Sequence, residues 1–356
     1  MKKPGLINCA VLAGFFALVF LVEFFLRKYS LVWASNMSLF LFSPDWFHVV
    51  FAKPFPVFHV VKSFLLQYFG LHPLGPVVVA AVLTLILLAF RLIPLFRRPK
   101  AFAMLAAVAS IVVLISALLP SSREAERRSK VLVSTRNRDW NAVLAALPPS
   151  RPTSDLMPFA MLALQQKGQL CDRMFEYPVK TMSDLDYFGT DDIVGSFFEA
   201  MLAENLGLQN EAVHRIFQMN CSCPYGNSFL GLNLLVRNNL ALGNMAMVRK
   251  YAEVLSLSPR FKGEARRLLA LCDKAASEAS AQPTNAAQPG AYVPPASSAD
   301  APVVDHNPLV LLMSLQSAGK YSRAAGERFM AYQLLDQASG FQGFTSGAGR
   351  FSQSPN

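Results

Sequence analysis

The sequence predicts an all-α protein in which transmembrane helices are followed by an array of helical hairpins. Three observations lead there. Of the 356 residues, 53% are hydrophobic and only 16% are charged, against about 25% charged in a typical soluble domain. Three apolar stretches long enough to cross a bilayer crowd into residues 1–120. Beyond them the pattern changes to shorter helices separated by glycine-marked breaks.

The membrane domain is expected over residues 1–120. Its first span, 6–26, is interrupted only by Asn8 and Glu23. Its 21 residues cover a hydrocarbon core of about 30 Å at 1.5 Å per residue. Lys2 and Lys3 precede it and Arg27 and Lys28 follow. The core is long for a signal peptide and no small-x-small cleavage site follows, so it reads as a retained anchor. Glu23 lies one turn from the basic end, where it can reach the interface or pair with Arg27.

Residues 36–72 are apolar, yet they carry Asp45, Lys53, Lys62 and several prolines. A span here would bury both lysines at roughly 2.5–3.5 kcal/mol each. Pro54 and Pro56 would also break its hydrogen-bond ladder. The stretch therefore reads as an interfacial or re-entrant outer loop in contact with membrane lipid. The second and third spans are 73–90 and 101–119.

The connection "RLIPLFRRPK" between those spans holds four basic residues and is placed in the cytoplasm. Three spans then put the N-terminus inside and the soluble domain in the periplasm, with the chain multi-pass in the inner membrane. Arg123, Arg127, Arg128 and Lys130 just past the third span are the opposing signal.

The charge follows the same division. Residues 1–138 carry 16 Lys and Arg against 4 Asp and Glu, and residues 139–356 carry 17 against 19. The basicity belongs to the membrane half, where it meets anionic head groups and sets topology. A nucleic-acid-binding protein would concentrate it on the soluble part, so nucleic acid is not an expected partner.

A helical-repeat domain is expected over 121–276. Fragments align on Gly168, Gly207, Gly243 and Gly319, each with an apolar helix before the glycine and a second helix two to four residues after it. Ala212, Val248 and Ala324 fall five residues after their glycines, and the first copy has Arg173 instead. "TRNRDWNAVLAAL", 135–147, reads as a capping helix before Pro148 and Pro149. This spacing resembles the tetratricopeptide repeat, in which a glycine turns one helix into the next and an alanine lets the two approach. Tyr321 and Ala324 match that pattern, and Pro259 sits at an expected repeat end. The repeat's tryptophan-leucine-glycine element is missing. Such hairpins stack into a surface that usually binds a protein or peptide partner; an array that is only a spacer, or that packs on its own membrane part, is the rival reading. Residues 277–306, rich in Pro, Ala and Ser, read as a disordered linker. Residues 307–337 read as a terminal helical hairpin, and 338–356 as a disordered tail.

Little in the chain points to a reaction. It has no nucleotide loop, zinc-protease helix or nucleophile elbow, and no cofactor is expected. Asp45 follows Ser43 and Pro44, which suits a helix start where its side chain caps amides; a catalytic role is the rival reading. His48, His59 and His72 have no ligand spacing and read as loop or interface residues. Cys221 and Cys223 form Cys-x-Cys rather than the Cys-x₂-Cys common at zinc sites. A metal site with Cys171 and Cys272 is one reading of these cysteines. Buried thiols and a disulfide are the others.

"LFLFSPDWF", "FLLQYF" with "PLG", "RDWNAVL" and "LALQQKGQLCDRMFEYP" together resemble an uncharacterised family of multi-pass membrane proteins from Bacteroidetes. The resemblance covers roughly 10–275 and implies a membrane part with a long first outer loop and a repeat-like soluble tail. It brings no activity with it. The residues read as a membrane-anchored scaffold rather than an enzyme. The alternative is a reduced relative of polytopic glycosyltransferases acting on lipid-linked sugars, with Asp45 as the acidic residue of the first outer loop.

Overall fold

The computed structural model describes residues 4–151, 153–187, 192–281 and 322–339. Among these it is all-helical, with three apolar helices near the N-terminus followed by a helical array. The described residues form two compact units. Unit 1 comprises residues up to Val133, Cys223–Asn233 and Arg249–Cys272. Unit 2 comprises Ser134–Ser222, Leu234–Val248 and the residues from Asp273 onward. The units thus divide the expected repeat segment 121–276 between them.

Unit 1 is built on α1 (Pro4–Leu26), α5 (Leu74–Ala89) and α6 (Pro99–Leu118). Phe15 and Val19 of α1 pack with Ala80 and Leu87 of α5 and with Phe102 and Ala106 of α6. Only 17–22% of each apolar stretch is buried inside the protein. The outward faces carry Leu21, Phe25, Leu85, Ile86, Val108, Ile111 and Val112. A bundle in water would put polar groups there, whereas one in hydrocarbon has no need of them. Thr84 and Ser110 return their hydroxyls to the carbonyls of Ala80 and Ala106 at 2.7 and 2.8 Å, which satisfies these two hydroxyls within their own helices.

The ends of this bundle are well defined. At one end Glu23 pairs with Arg27 at 3.3 Å, and Arg27 donates to Ser116 Oγ at 3.0 Å. The His72 ring lies 4.2 Å from that of Phe24. Here α2 (Lys28–Asn36) begins, and α7 (Pro120–Arg136) leaves α6. The Glu126 carboxylate accepts from Tyr29 N, Ser30 N and Ser30 Oγ at 2.7, 2.9 and 2.6 Å. A carboxylate at a helix N-terminus satisfies free amides and meets the positive end of the dipole. At the other end two short 3₁₀ turns, Phe90–Leu92 and Pro94–Arg97, hold the basic connection, with Arg91 over the Phe102 ring. Residues 27–72 and the start of α7 therefore share one end of the bundle, opposite residues 90–99.

Residues 36–72 fold as α3 (Pro44–Phe51) and α4 (Pro56–Leu66), with proline in the first turn of each. There it costs no hydrogen bond. Between them Phe55 takes a left-handed conformation, φ 54°.

Unit 2 begins at Ser134, in the last turn of α7, and its first whole helix is α8 (Trp140–Ala146), capped by the Asp139 side chain on Ala142 N at 3.0 Å. It continues through α9 (Met157–Gln166), α10 (Leu170–Arg173), α11 (Ile193–Asn205) and α12 (Gln209–Cys221). The chain then forms α13 (Phe229–Ala241), α14 (Met245–Ser256) and α15 (Lys262–Ala281), each shared between the units. The last described helix is α16 (Arg323–Ser339), in unit 2.

The aligned glycines share one geometry. Gly168, Gly207 and Gly243 have φ of 66°, 82° and 69°. The residue after each glycine donates to a carbonyl five positions back: Gln169 to Leu164, Leu208 to Ala203, Asn244 to Asn239. This is the glycine-terminated helix end that only a left-handed residue can make. Ala212 is fully buried where α11 meets α12. In the first copy, with Arg173, the second helix is a single turn, and Arg173 pairs with Glu176 on the surface. Gly319 and Tyr321 lie outside the described residues, as do the linker from residue 282, the first part of the hairpin expected from 307, and the tail from 340. Residues 277–281, expected in the linker, continue α15.

Candidate functional site

The sequence singled out Asp45. It is exposed in the first turn of α3, where its charge faces the positive end of the helix; Ser43 occupies the cap position without a side-chain bond. Nearby, α3 and α4 lie against the unit 1 segments 223–233 and 249–272. Phe42 N donates to Leu257 O at 2.9 Å, Ser258 Oγ to Gln67 Oε1 at 2.9 Å and Lys53 Nζ to Pro224 O at 2.6 Å. His59 Nδ1 is 2.9 Å from Tyr225 Oη, and Lys53 sits over the Tyr225 ring. His59 and His72 are thus packing residues of this end of the unit, and neither lies beside Asp45 in a ligand set.

The cysteines are all free thiols. Cys221 is exposed at the end of α12 and Cys223 is buried. Among the described residues no three His, Cys, Asp or Glu side chains cluster as metal ligands. Cys221 instead borders a surface recess of about 360 Å³ along α12, with His214, Phe217, Gln218 and Ser222.

The most constrained polar cluster was not legible in the sequence. It holds α16 to α9 and α10. Arg328 is 1% exposed, and its guanidinium donates to Gln165 Oε1 at 2.6 Å, Leu185 O at 2.6 Å and the Asp186 carboxylate. Tyr332 Oη donates to the other Asp186 oxygen. Burial pushes the Asp186 carboxyl above its ordinary range, and Arg328 only partly offsets this. Around the cluster Gln165 Nε2 donates to Ala324 O at 3.0 Å, and Cys171 Sγ to Glu327 O at 3.3 Å. Burial, then the Glu327 and Asp172 carboxylates, raises the Cys171 thiol as well. Ala325, Ala331, Tyr332 and Leu335 supply the apolar contact. Arg323 and Glu327 approach the Gly168 turn so closely that a Cβ there would lie 2.4 Å from Arg323 Nη2. The cluster holds α16 by a buried cation flanked by small apolar residues. No nucleophile or base pair is assembled in it.

Elsewhere in unit 2, Glu204 is buried between Arg138, at 2.5 Å, and Arg237. Arg215 joins Glu211 and Glu199 at 2.7 and 3.0 Å. Of these, Arg237–Glu204 and Arg215–Glu199 join different helices of the array, while Arg215–Glu211 lies within α12.

No curated protein and no solved structure is similar to the chain. One family profile, described as a family of unknown function (DUF6057), matches residues 2–131 and 118–345. Both the three apolar helices and the array, including α16, fall within the matched ranges. The chain belongs to this family of unknown function.

Proposed function

We propose that the chain is a membrane-anchored scaffold of the cell envelope whose helical array binds a protein or peptide partner. In this reading α1, α5 and α6 cross the inner membrane and the array stands in the periplasm. The basic connection at 90–99, at the opposite end of the bundle from α2 and α7, supports that arrangement. The observation that carries the partner-binding reading is the docking of α16. The surface of α9 and α10 holds a helix that lies about 150 residues away along the chain, through a buried Arg328–Asp186 lock. A surface that holds one such helix in cis can hold another in trans. The partner is then an amphipathic helix with a buried cation, in competition with α16. The tetratricopeptide-like hairpins make that surface. The glycosyltransferase-like alternative has less support, because Asp45 is exposed in the first turn of α3 and three spans are few to build a cavity for a lipid-linked sugar.

The test uses the membrane-reconstituted chain ended after Ala281 and a labelled peptide of residues 322–339. Saturable binding that is lost with Arg328→Met in the peptide supports the reading. Binding that is absent, or indifferent to that change, contradicts it.

A further inference from the structure

We propose that the α3–α4 hairpin is a membrane-inserting element whose phenylalanine-rich face enters the lipid interface of the bilayer that α1, α5 and α6 cross. The inference rests on the reading of those helices as spans.

Its basis is an inverted polarity. Helix α4 and the residues after it turn Ser63 and Gln67, each 1% exposed, inward, while Phe55, Val57 and Phe58 are 81%, 68% and 63% exposed. Phe42, Phe51, Val61 and Phe64 extend the same outward display. In water this arrangement loses on both sides, since polar groups are desolvated and large apolar groups are left wet. Two oxygens of Gln67 are met within unit 1, since Ser35 Oγ donates to Gln67 O at 3.1 Å and Ser258 Oγ to Gln67 Oε1 at 2.9 Å, while its Nε2 is buried without a partner. The inner face is therefore specified, and the outer face requires an apolar medium.

Three further observations identify that medium as lipid. Both ends of the hairpin are tied to the spans at the same end of the bundle, through α2 after α1 and through residues 67–73 before α5. The spans already present outward apolar faces, with which the hairpin's face is continuous in character. Its lysines also suit an interface. Lys53 turns away onto Pro224 O and the Tyr225 ring, and Lys62 is exposed on a stem long enough to reach head groups. At the corner, Phe55 adopts a left-handed backbone that a non-glycine residue avoids, immediately before Pro56, and is the most exposed large apolar residue of the hairpin. The corner holds its phenylalanine out.

The full chain is reconstituted into vesicles of phosphatidylcholine and phosphatidylglycerol, with Phe58→Trp as the probe and Val61→Trp as a second in case the first disturbs folding. Quenchers are a phosphatidylcholine brominated on its acyl chains and aqueous iodide. The added emission, taken over the unsubstituted chain, is expected to fall about twofold or more with bromolipid and little with iodide, given an insertion depth of about 5–10 Å. Quenching by iodide alone means a solvated face and overturns the proposal. Quenching by neither means that a protein or a second copy covers it, and overturns it equally. Extraction with alkaline carbonate separates this result from the underlying reading: a chain that leaves the membrane removes the spans themselves, whereas one that stays with a lipid-free Phe58 removes only the insertion.

Discussion

Arg328→Met gives the sharpest test of the lock on α16. Methionine keeps much of the apolar stem and removes every donor. Four acceptors then lose their partner: Gln165 Oε1, Leu185 O, one Asp186 oxygen and Tyr332 Oη. Asp186 keeps only the Tyr332 hydroxyl, and its burial leaves no water to replace the guanidinium. Removing one partner of a buried ion pair costs about 3–5 kcal/mol. At about 1.4 kcal/mol per decade, docking of α16 weakens roughly a hundred- to several-thousand-fold. The cost falls on the docked state alone, because undocking returns Asp186 to water. Hydrogen exchange of the α16 amides should accelerate accordingly while that of α11 and α12 stays unchanged. Arg328→Met combined with Asp186→Leu should recover most of the loss, since an apolar pair in place of a buried ion pair is often neutral. Unchanged protection in the single variant would refute the reasoning, because contacts of Ala325, Ala331, Tyr332 and Leu335 would then suffice to hold α16.

Other consequences are smaller in scope. Gly207→Ala meets no atom within 4 Å, so its cost is the left-handed backbone alone, about 1–2 kcal/mol, and Gly207→Asn should cost less; thermal melts of both variants check this. Ala212→Arg overpacks the fully buried α11–α12 contact by about 1–3 kcal/mol and adds a buried charge; a melting temperature equal to that of the parent would remove Ala212 from that contact. Cys171 should alkylate far more slowly than exposed Cys221, because docked α16 holds its thiol above the ordinary value of 9.0. Docking raises that value, so it is at full strength below the ordinary value and weakens as pH rises through the docked one. A chain ended after Ala281 should show faster Cys171 alkylation at about pH 8–9, and an unchanged rate would contradict the link. Asp45→Asn should leave insertion, folding and partner binding intact, since an exposed first-turn charge is worth about 0.3–1 kcal/mol. If function were lost while all three persisted, the scaffold reading would give way to an active site in the loop.

The parts legible in the sequence are those specified by neighbours along the chain. The three apolar helices needed only composition and length. Gly168, Gly207 and Gly243 announced their turns because a left-handed helix end has a strong local preference for glycine. Glu23 and Arg27 were readable as a pair because they are four residues apart on one helix. The α16 lock was not readable. Arg328 and Asp186 are 142 residues apart, and each taken singly resembles a surface charge. The direction of the α3–α4 hairpin was hidden for the same reason. Gln67 faces inward where Ser258, 191 residues further on, donates to it. The allocation of 223–233 and 249–272 to the same unit as the apolar helices likewise depends on contacts that no periodicity records.

The central claim is that the array is anchored on one side of a membrane by an odd number of spans, with residues 36–72 on that same side. Single cysteines replacing Lys62, Arg97 and Arg128 test it most directly. They are placed in the chain with the exposed Cys9 and Cys221 changed to serine, and intact cells are treated with a thiol reagent that cannot cross the inner membrane. The expected result is labelling at 62 and 128 without permeabilisation, and at 97 only after it. Labelling at 97 together with 62, or at 62 without 128, would contradict the account.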